Sequence, residues 1–324
     1  MRCHPVFLIA LVVPAPGMAQ QGPDPEFKPK VQRRAYVGPG PIVAIDEAHG
    51  NFHTMNGRYR PLADLLEADG YQVRANEAAF SAERLRGVQV LIVSNAAATS
   101  ANVDSSEADA SGPAFTSAES DALRDWVRGG GSMLLIADHA PFGSAAAILG
   151  ERFGIHMGTG FVADPAHSET RPTFLVFSAE NGLLGDHPIT RGREARENVK
   201  RVVTFTGQSL SGPSGAGVLL RLGDAAVEAP NRAALGKWTS ATAEAERAGF
   251  ATPAGGRAQG LAFTFGKGRV VVLGEAAVFS AQVVHVEEGG TQRTFRMGMN
   301  VPGNDDQQFA LNVVHWLSDL LPPR

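Results

Sequence analysis

Four short apolar runs, each followed at once by polar or ionisable residues, constrain this chain more than any other feature. Residues 42–45, 88–94, 132–137 and 269–273 have the length and near-continuous apolar content of strands covered on both faces. Helical periodicity lies between them. Leu62, Leu65 and Leu66 share one face of residues 61–69, which Gly70 stops, and a further short strand follows at 71–73. Leu123, Trp126 and Val127 share one face of residues 119–127, which Gly129, Gly130 and Gly131 end, and another helix starts near Ser144. Alternation of strand and helix closes through right-handed crossovers, so the expected fold class is α/β, doubly wound, with a mainly parallel flavodoxin-like sheet. Strands are expected at 174–177, 202–205, 218–222 and 260–265, and Gly266-Lys267-Gly268 reads as a hairpin turn that gives the sheet an antiparallel extension. Residues 304–320 close the chain as a helix with Phe309, Val313, Trp316, Leu317 and Leu320 as its core face.

The amino terminus predicts export. Arg2 and His4 precede an apolar run at 6–13, and Gly17-Met18-Ala19 offers the small residues of a cleavage site, so residues 1–19 read as a signal peptide. Pro14 and Pro16 interrupt the run well short of the roughly 18 residues that span a bilayer. The expectation is a periplasmic or secreted protein with no stable membrane anchor after cleavage. The single cysteine, Cys3, leaves with the signal, which removes disulfides, thiolate metal ligands and a cysteine nucleophile together. Residues 20–40 lack periodicity and read as a linker or N-terminal arm, with 41–324 as one domain. A net charge of −4 with no basic stripe argues against a nucleic-acid partner. Residues 97–113 are rich in Ala, Ser and Asp and read as an excursion above the sheet.

Open α/β sheets bind ligands beyond the carboxyl ends of their strands. There this chain places Asp46, Glu47, His49, Asn51 and His53 after the first strand, Asn95 after the third, Asp138 and His139 after the fourth, Gln208 and Ser209 after residues 202–205, and Glu275 after 269–273. His49 and His53 stand four residues apart, a spacing that brings two imidazoles to one side of a helical turn. With Asp138 across the crevice they are candidate ligands for a divalent metal, zinc first. Asp46, Glu47, His139 and Glu275 are the candidate catalytic groups. Asn51, Asn95, Gln208, Ser209, Asn300, Asn304 and Asp305 are candidate ligand-binding groups. The plainer reading is that these side chains brace loops, with Asp46 capping a helix, His139 bonding a carbonyl and Asn304 capping the last helix. A serine mechanism at Ser209 meets Gly207-Gln208-Ser209-Leu210-Ser211, which lacks the final glycine of a nucleophile elbow. The expected function is a hydrolase-like enzyme acting on a small polar or carbohydrate-derived substrate. A non-enzymatic domain that binds a glycan or a partner chain stays open beside it.

Taken together, the run from Ile45 to Thr54, the Gly-Gly-Ser strand leading into Ala137-Asp138-His139-Ala140-Pro141-Phe142-Gly143, and residues 304–312 resemble a bacterial family named domain of unknown function 4350. That family is related to the class I glutamine-amidotransferase-like fold, and the resemblance spans most of residues 41–320. It implies a flavodoxin-like sheet. Enzymes of that fold carry a cysteine on the elbow after a central strand, where this chain has Asp138-His139, so the resemblance implies no glutaminase chemistry.

Overall fold

A computed structural model describes residues 20–98, 112–288 and 291–323. The expected signal peptide and most of the excursion at 97–113 lie outside the described residues. The chain runs β1 (Gln20–Pro23), β2 (Ile42–Asp46), α1 (Arg60–Asp69), β3 (Gln72–Asn76), β4 (Val88–Ser94), α2 (Ser117–Gly129), β5 (Ser132–Ile136) and α3 (Phe142–Glu151). It continues with β6 (His156–Met157), β7 (Phe161–Ala163), β8 (Phe174–Ser178), α4 (Pro188–Arg191), β9 (Arg201–Phe205), β10 (Leu210–Ser211), β11 (Gly217–Arg221), β12 (Val227–Ala229) and α5 (Arg232–Ser240). It ends with α6 (Glu244–Arg247), β13 (Thr252–Pro253), β14 (Ala258–Phe265), β15 (Gly268–Leu273), β16 (Ala281–Glu288), β17 (Thr291–Gly298) and α7 (Asp306–Leu317).

The apolar runs form the centre of a mixed sheet. Five parallel strands stand in the order β3-β2-β4-β5-β15, and β14, β10 and β6 continue the sheet antiparallel, with β11 also paired to β14. Alternate residues of each strand feed opposite faces, as a pleat requires. Val43, Ile45, Val90, Ile92, Leu134, Ile136, Val271 and Leu273 pack with α1 and α7 through Leu62, Leu66, Phe309 and Trp316. Ala44, Leu91, Val93, Met133, Leu135, Val270 and Val272 pack with α2 and α3 through Leu123, Val127, Phe142 and Leu149. Both faces are thus covered, and the continuous apolar strands are explained. The two-residue turn at Gly266-Lys267 joins β14 to β15, with Gly266 at φ +61°, where a side chain is disfavoured.

Three smaller sheets stand outside this core: β1-β16-β17, β13-β12-β7 and β8-β9. The strands expected at 174–177 and 202–205 form the last of these, an antiparallel pair off the main sheet. The arm at 20–40 begins with β1, whose Gln21 pairs with Val284, and Phe27, Val31, Ala35 and Tyr36 rest on the core. Hairpin β16–β17 was not expected from sequence. Residues 291–294 of β17 are exposed, so its sequence lacks the apolar alternation of a half-buried strand.

Candidate functional site

Because β2, β4, β5 and β15 are parallel, their carboxyl ends share one edge of the sheet. Above that edge the β8–β9 pair, the β1-β16-β17 sheet and the start of α5 enclose a cavity of about 460 Å³. His53, Asn95, Asp138, His139 and Glu275 line its sheet side; Phe52, Phe142, Phe174, Phe205 and Phe295 supply aromatic wall; Arg171, Arg232 and Thr206 complete the rim. Apolar walls with a few converging polar groups are the usual make-up of a small-molecule site.

Glu275 is buried, and its carboxylate accepts the N–H of Ala277 at 2.7 Å and of Val278 at 2.8 Å. Burial, reinforced by the charge of Asp138, still pushes its pKa well above the usual glutamate range. Asp138 is placed by its neighbours: its N–H donates to Asn95 Oδ1 at 2.9 Å, and its Oδ1 accepts the His139 N–H at 2.7 Å. His139 has its Nδ1 2.8 Å from the Ala140 carbonyl oxygen, and its ring stacks on Phe161 with centroids 4.5 Å apart. His53 is 3% exposed, and burial, with Arg58 and His139 nearby, lowers its pKa to about 3, so it is a neutral imidazole at physiological pH. Neither His53 Nδ1 nor Asn95 Nδ2 has a hydrogen-bond partner among the described residues. Tyr59 supports this floor from below, donating to the Ala276 carbonyl at 3.0 Å and accepting from Ser94 Oγ at 3.0 Å.

Backbone strain collects at the same place. Asn95 (φ 46°) and Thr206 (φ 72°) line the cavity, and Thr170 (φ 54°) precedes Arg171. A β-branched residue in the left-handed region is costly, and such residues persist where the surrounding structure over-determines them, often at functional sites. Gly207 (φ +69°) follows Thr206, and any Cβ there would collide with the Gly274 carbonyl oxygen. Only glycine lets the 206–209 loop lie this close to Glu275.

The other candidates lie elsewhere. Asp46, Glu47 and His49 do not line the cavity. His49 has Nδ1 2.8 Å from Asp46 Oδ2 and Nε2 2.9 Å from Glu119 Oε1, between the rings of Phe80 and Phe115. Its pKa is raised: burial alone would lower it, and hydrogen bonds and charge from Asp46 and Glu119 overcome burial. Both ring nitrogens are therefore taken by carboxylates. The loop carrying His49 and His53 is not helical, so the spacing of four does not bring the two rings to one side of a turn. No helix begins at Asp46 for it to cap, and its Oδ1 instead accepts from Asn76 Nδ2 at 3.0 Å. Glu47 accepts the Met55 N–H at 2.6 Å, and Asn51 ties His49 N–H to the Ser94 carbonyl. Among the described residues no group of three or more His, Cys, Asp or Glu is placed to hold a metal ion.

Ser209 is fully buried, and its hydroxyl donates to Glu228. Gln208, also buried, donates to the Ala137 carbonyl at 2.6 Å. Asn300 joins Asp24 and the Gln282 carbonyl beside a separate surface hollow. Asn304 donates to the Gly298 carbonyl at 3.1 Å and Asp306 Oδ2 at 2.6 Å, while Asp305 accepts from the Lys200 and Arg201 N–H groups. Asn304 and Asp305 thus stitch the start of α7 to its surroundings, and Asn300 ties the turn before it to the arm and to β16. Sequence reasoning passed over Glu119, Arg171 and Arg232. Thr116-Ser117-Ala118-Glu119 carries a legible capping-box signal, whereas nothing local marks the arginines.

Fold and site together define a mixed α/β protein with a mainly parallel central sheet, additional antiparallel sheets and a polar, aromatic-walled cavity at its strand ends. No family model matches the chain, and no curated protein matches it. Among solved structures, the mmIFT52 N-terminal domain is similar, with TM-score 0.56 at 15% identity over 86% of this chain and 97% of that one. A putative ThuA-like protein from Bacteroides uniformis has TM-score 0.44 at 12% identity, covering 89% and 95% of the two chains. A putative GMP synthase component from Thermoplasma acidophilum has TM-score 0.38 at 11% identity, covering 85% and 95%. At 15% identity the likeness to the mmIFT52 domain is one of fold alone.

Proposed function

We propose that this chain is an exported hydrolase-like enzyme of the glutamine-amidotransferase-like fold, in the domain of unknown function 4350 family, and that it cleaves a small polar or carbohydrate-derived substrate in the strand-end cavity. The observation that carries this reading is the carboxyl pair in one site: Asp138 and Glu275 both line the cavity, and burial together with the charge of Asp138 raises the pKa of Glu275. A carboxyl whose pKa burial raises can act as an acid, and a second carboxyl in the same site can act as a base. In the proposed step, Asp138 takes a proton from the attacking water, and the water oxygen bonds to the reacting carbon. The bond to the leaving group breaks as Glu275 gives that group its proton. His53, neutral, and Asn95 offer polar contacts to the substrate, and the phenylalanine rings exclude water and cover the apolar face of a sugar ring.

Screening purified protein against glycosides, esters, amides and phosphoesters tests this. Wild type is expected to turn over one class, and Asp138→Asn to lose about a hundredfold or more in kcat with the substrate still bound. Activity is expected to fall as pH rises through the elevated pKa of Glu275. Full activity in Asp138→Asn, or a ligand bound tightly with no turnover of any class, overturns the enzymatic reading.

A further inference from the structure

We propose that the bond cleaved in the cavity is that of an ester or amide, with the Asn95 side-chain amide donating to the carbonyl oxygen as water, deprotonated by Asp138, attacks the carbonyl carbon. This inference rests on the cavity being a hydrolytic site, and adds the class of bond that fits it. Asn95 is 1% exposed, lines the cavity and holds a left-handed backbone at φ 46°. Three of its four polar groups are committed. Its N–H donates to the Ile136 carbonyl at 2.9 Å, its carbonyl accepts the Phe52 N–H at 3.0 Å, and its Oδ1 accepts the Asp138 N–H at 2.9 Å. The bond to Oδ1 fixes which way round the amide lies and leaves Nδ2 as a buried donor with no partner among the described residues. A donor left in this way is costly, and a ligand that brings an acceptor to it recovers the cost.

The same bonds set Asn95 among the reacting groups. Oδ1 fastens it to Asp138, and the Phe52 contact places it beside the segment carrying His53, whose Nδ1 also lacks a partner among the described residues. The His53 ring packs on Tyr59 with centroids 4.6 Å apart and, with a pKa of about 3, is uncharged while still carrying one N–H. Neutral donors beside a base suit an oxygen that gains its charge only as the reaction proceeds. In an ester or amide that oxygen is bonded to the carbon water attacks, so base and donor belong side by side, as Asp138 and Asn95 stand. At a glycosidic carbon positive charge develops instead, and a donor next to the base has no growing negative charge to meet. In the step, water gives one proton to Asp138 and bonds to the carbon while the carbonyl electron pair moves to oxygen. That pair returns as the bond to the leaving group breaks and Glu275 protonates the group; Asp138 then passes its proton back to Glu275 through solvent.

Nitrophenyl acetate, acetyl nitroanilide, nitrophenyl glucoside and nitrophenyl phosphate read the bond class directly, scored on the turnover that Asp138→Asn abolishes. Wild type is expected to cleave the ester or the anilide and to spare the other two. Asn95→Asp keeps an oxygen for the Asp138 N–H and removes the donor, so kcat is expected to fall about a hundredfold with KM little changed. The hydrate of a trifluoromethyl ketone resembles the tetrahedral adduct, and is expected to bind wild type about tenfold or more tighter than the matching methyl ketone. Asn95→Asp should lose that gap; if the variant does not fold, the two wild-type comparisons decide alone. Cleavage of the glucoside or the phosphate in place of the acyl substrates, equal binding of the two ketones, or full kcat in folded Asn95→Asp overturns the acyl assignment and leaves the hydrolase reading standing. No turnover of any of the four overturns both.

Discussion

His49 shows how one residue can look like a metal ligand in sequence and act as a brace in the fold. It lies in the polar run after β2, yet both nitrogens meet carboxylates, and its ring fills a space between Phe80 and Phe115. The partner Glu119 lies 70 residues away, so no local spacing announces the contact. His53, four residues on, has no such clamp and faces the cavity instead. The raised pKa of His49 makes the brace pH-dependent. Because the folded value lies above the ordinary 6.5, the stabilisation is fully present below 6.5 and is lost as pH rises through the folded value. The paired carboxylate Glu119 has a lowered pKa, so its part is present above the ordinary 4.5 and fails as pH falls through its folded value. Chemical denaturation of wild type and His49→Ala is therefore expected to differ by about 2–4 kcal/mol near pH 6 and by much less in alkali. A difference that does not change with pH would show that the ring acts by packing alone.

At the scale of elements, α2 carries two separable contributions at its start. Thr116 Oγ1 accepts the Glu119 N–H at 3.2 Å, and Glu119 Oε2 accepts the Thr116 N–H at 3.1 Å, a reciprocal cap that leaves Oε1 for His49. Thr116→Ala is expected to cost about 1 kcal/mol at every pH, since no titrating group is lost. Glu119→Gln should lose its stability chiefly at neutral and mildly acidic pH, as His49→Ala does, and urea titrations at pH 6 and pH 9 distinguish the two. The elements that were legible in sequence share a physical cause: β2, β4, β5 and β15 are buried on both faces, so their composition is dictated by burial alone. The β16–β17 hairpin and α5 are held by pairing and by one-sided contact, and their sequences carry no comparable signal. Those less legible elements form part of the roof of the cavity, which is why Arg232 and Phe295 are not marked in the sequence while Asp138 and Glu275 on the sheet edge are.

Over the whole molecule, the sheet gathers polar residues at one edge and then divides them. One group, Asp46, Glu47, His49 and Asn51, is consumed by hydrogen bonds within the described residues; the other, His53, Asn95, Asp138, His139 and Glu275, faces an enclosed space. Sequence predicts that ionisable groups converge at the strand ends, and burial and partner geometry decide which of them remain available for chemistry. Groups held for function are kept at some cost in stability, and groups held for structure are not. The thermal melt of Asp138→Asn beside His49→Ala is the most direct test. The asparagine keeps the Oδ1 acceptor for the His139 N–H and removes the charge that opposes ionisation of buried Glu275, so its melting temperature should match or exceed that of wild type. His49→Ala should melt about 4–8 °C lower near pH 6, at about 2 °C per kcal/mol for a chain of this size. A loss in Asp138→Asn as large as that in His49→Ala would contradict the account, because Asp138 would then be a structural brace and the cavity would have lost its base.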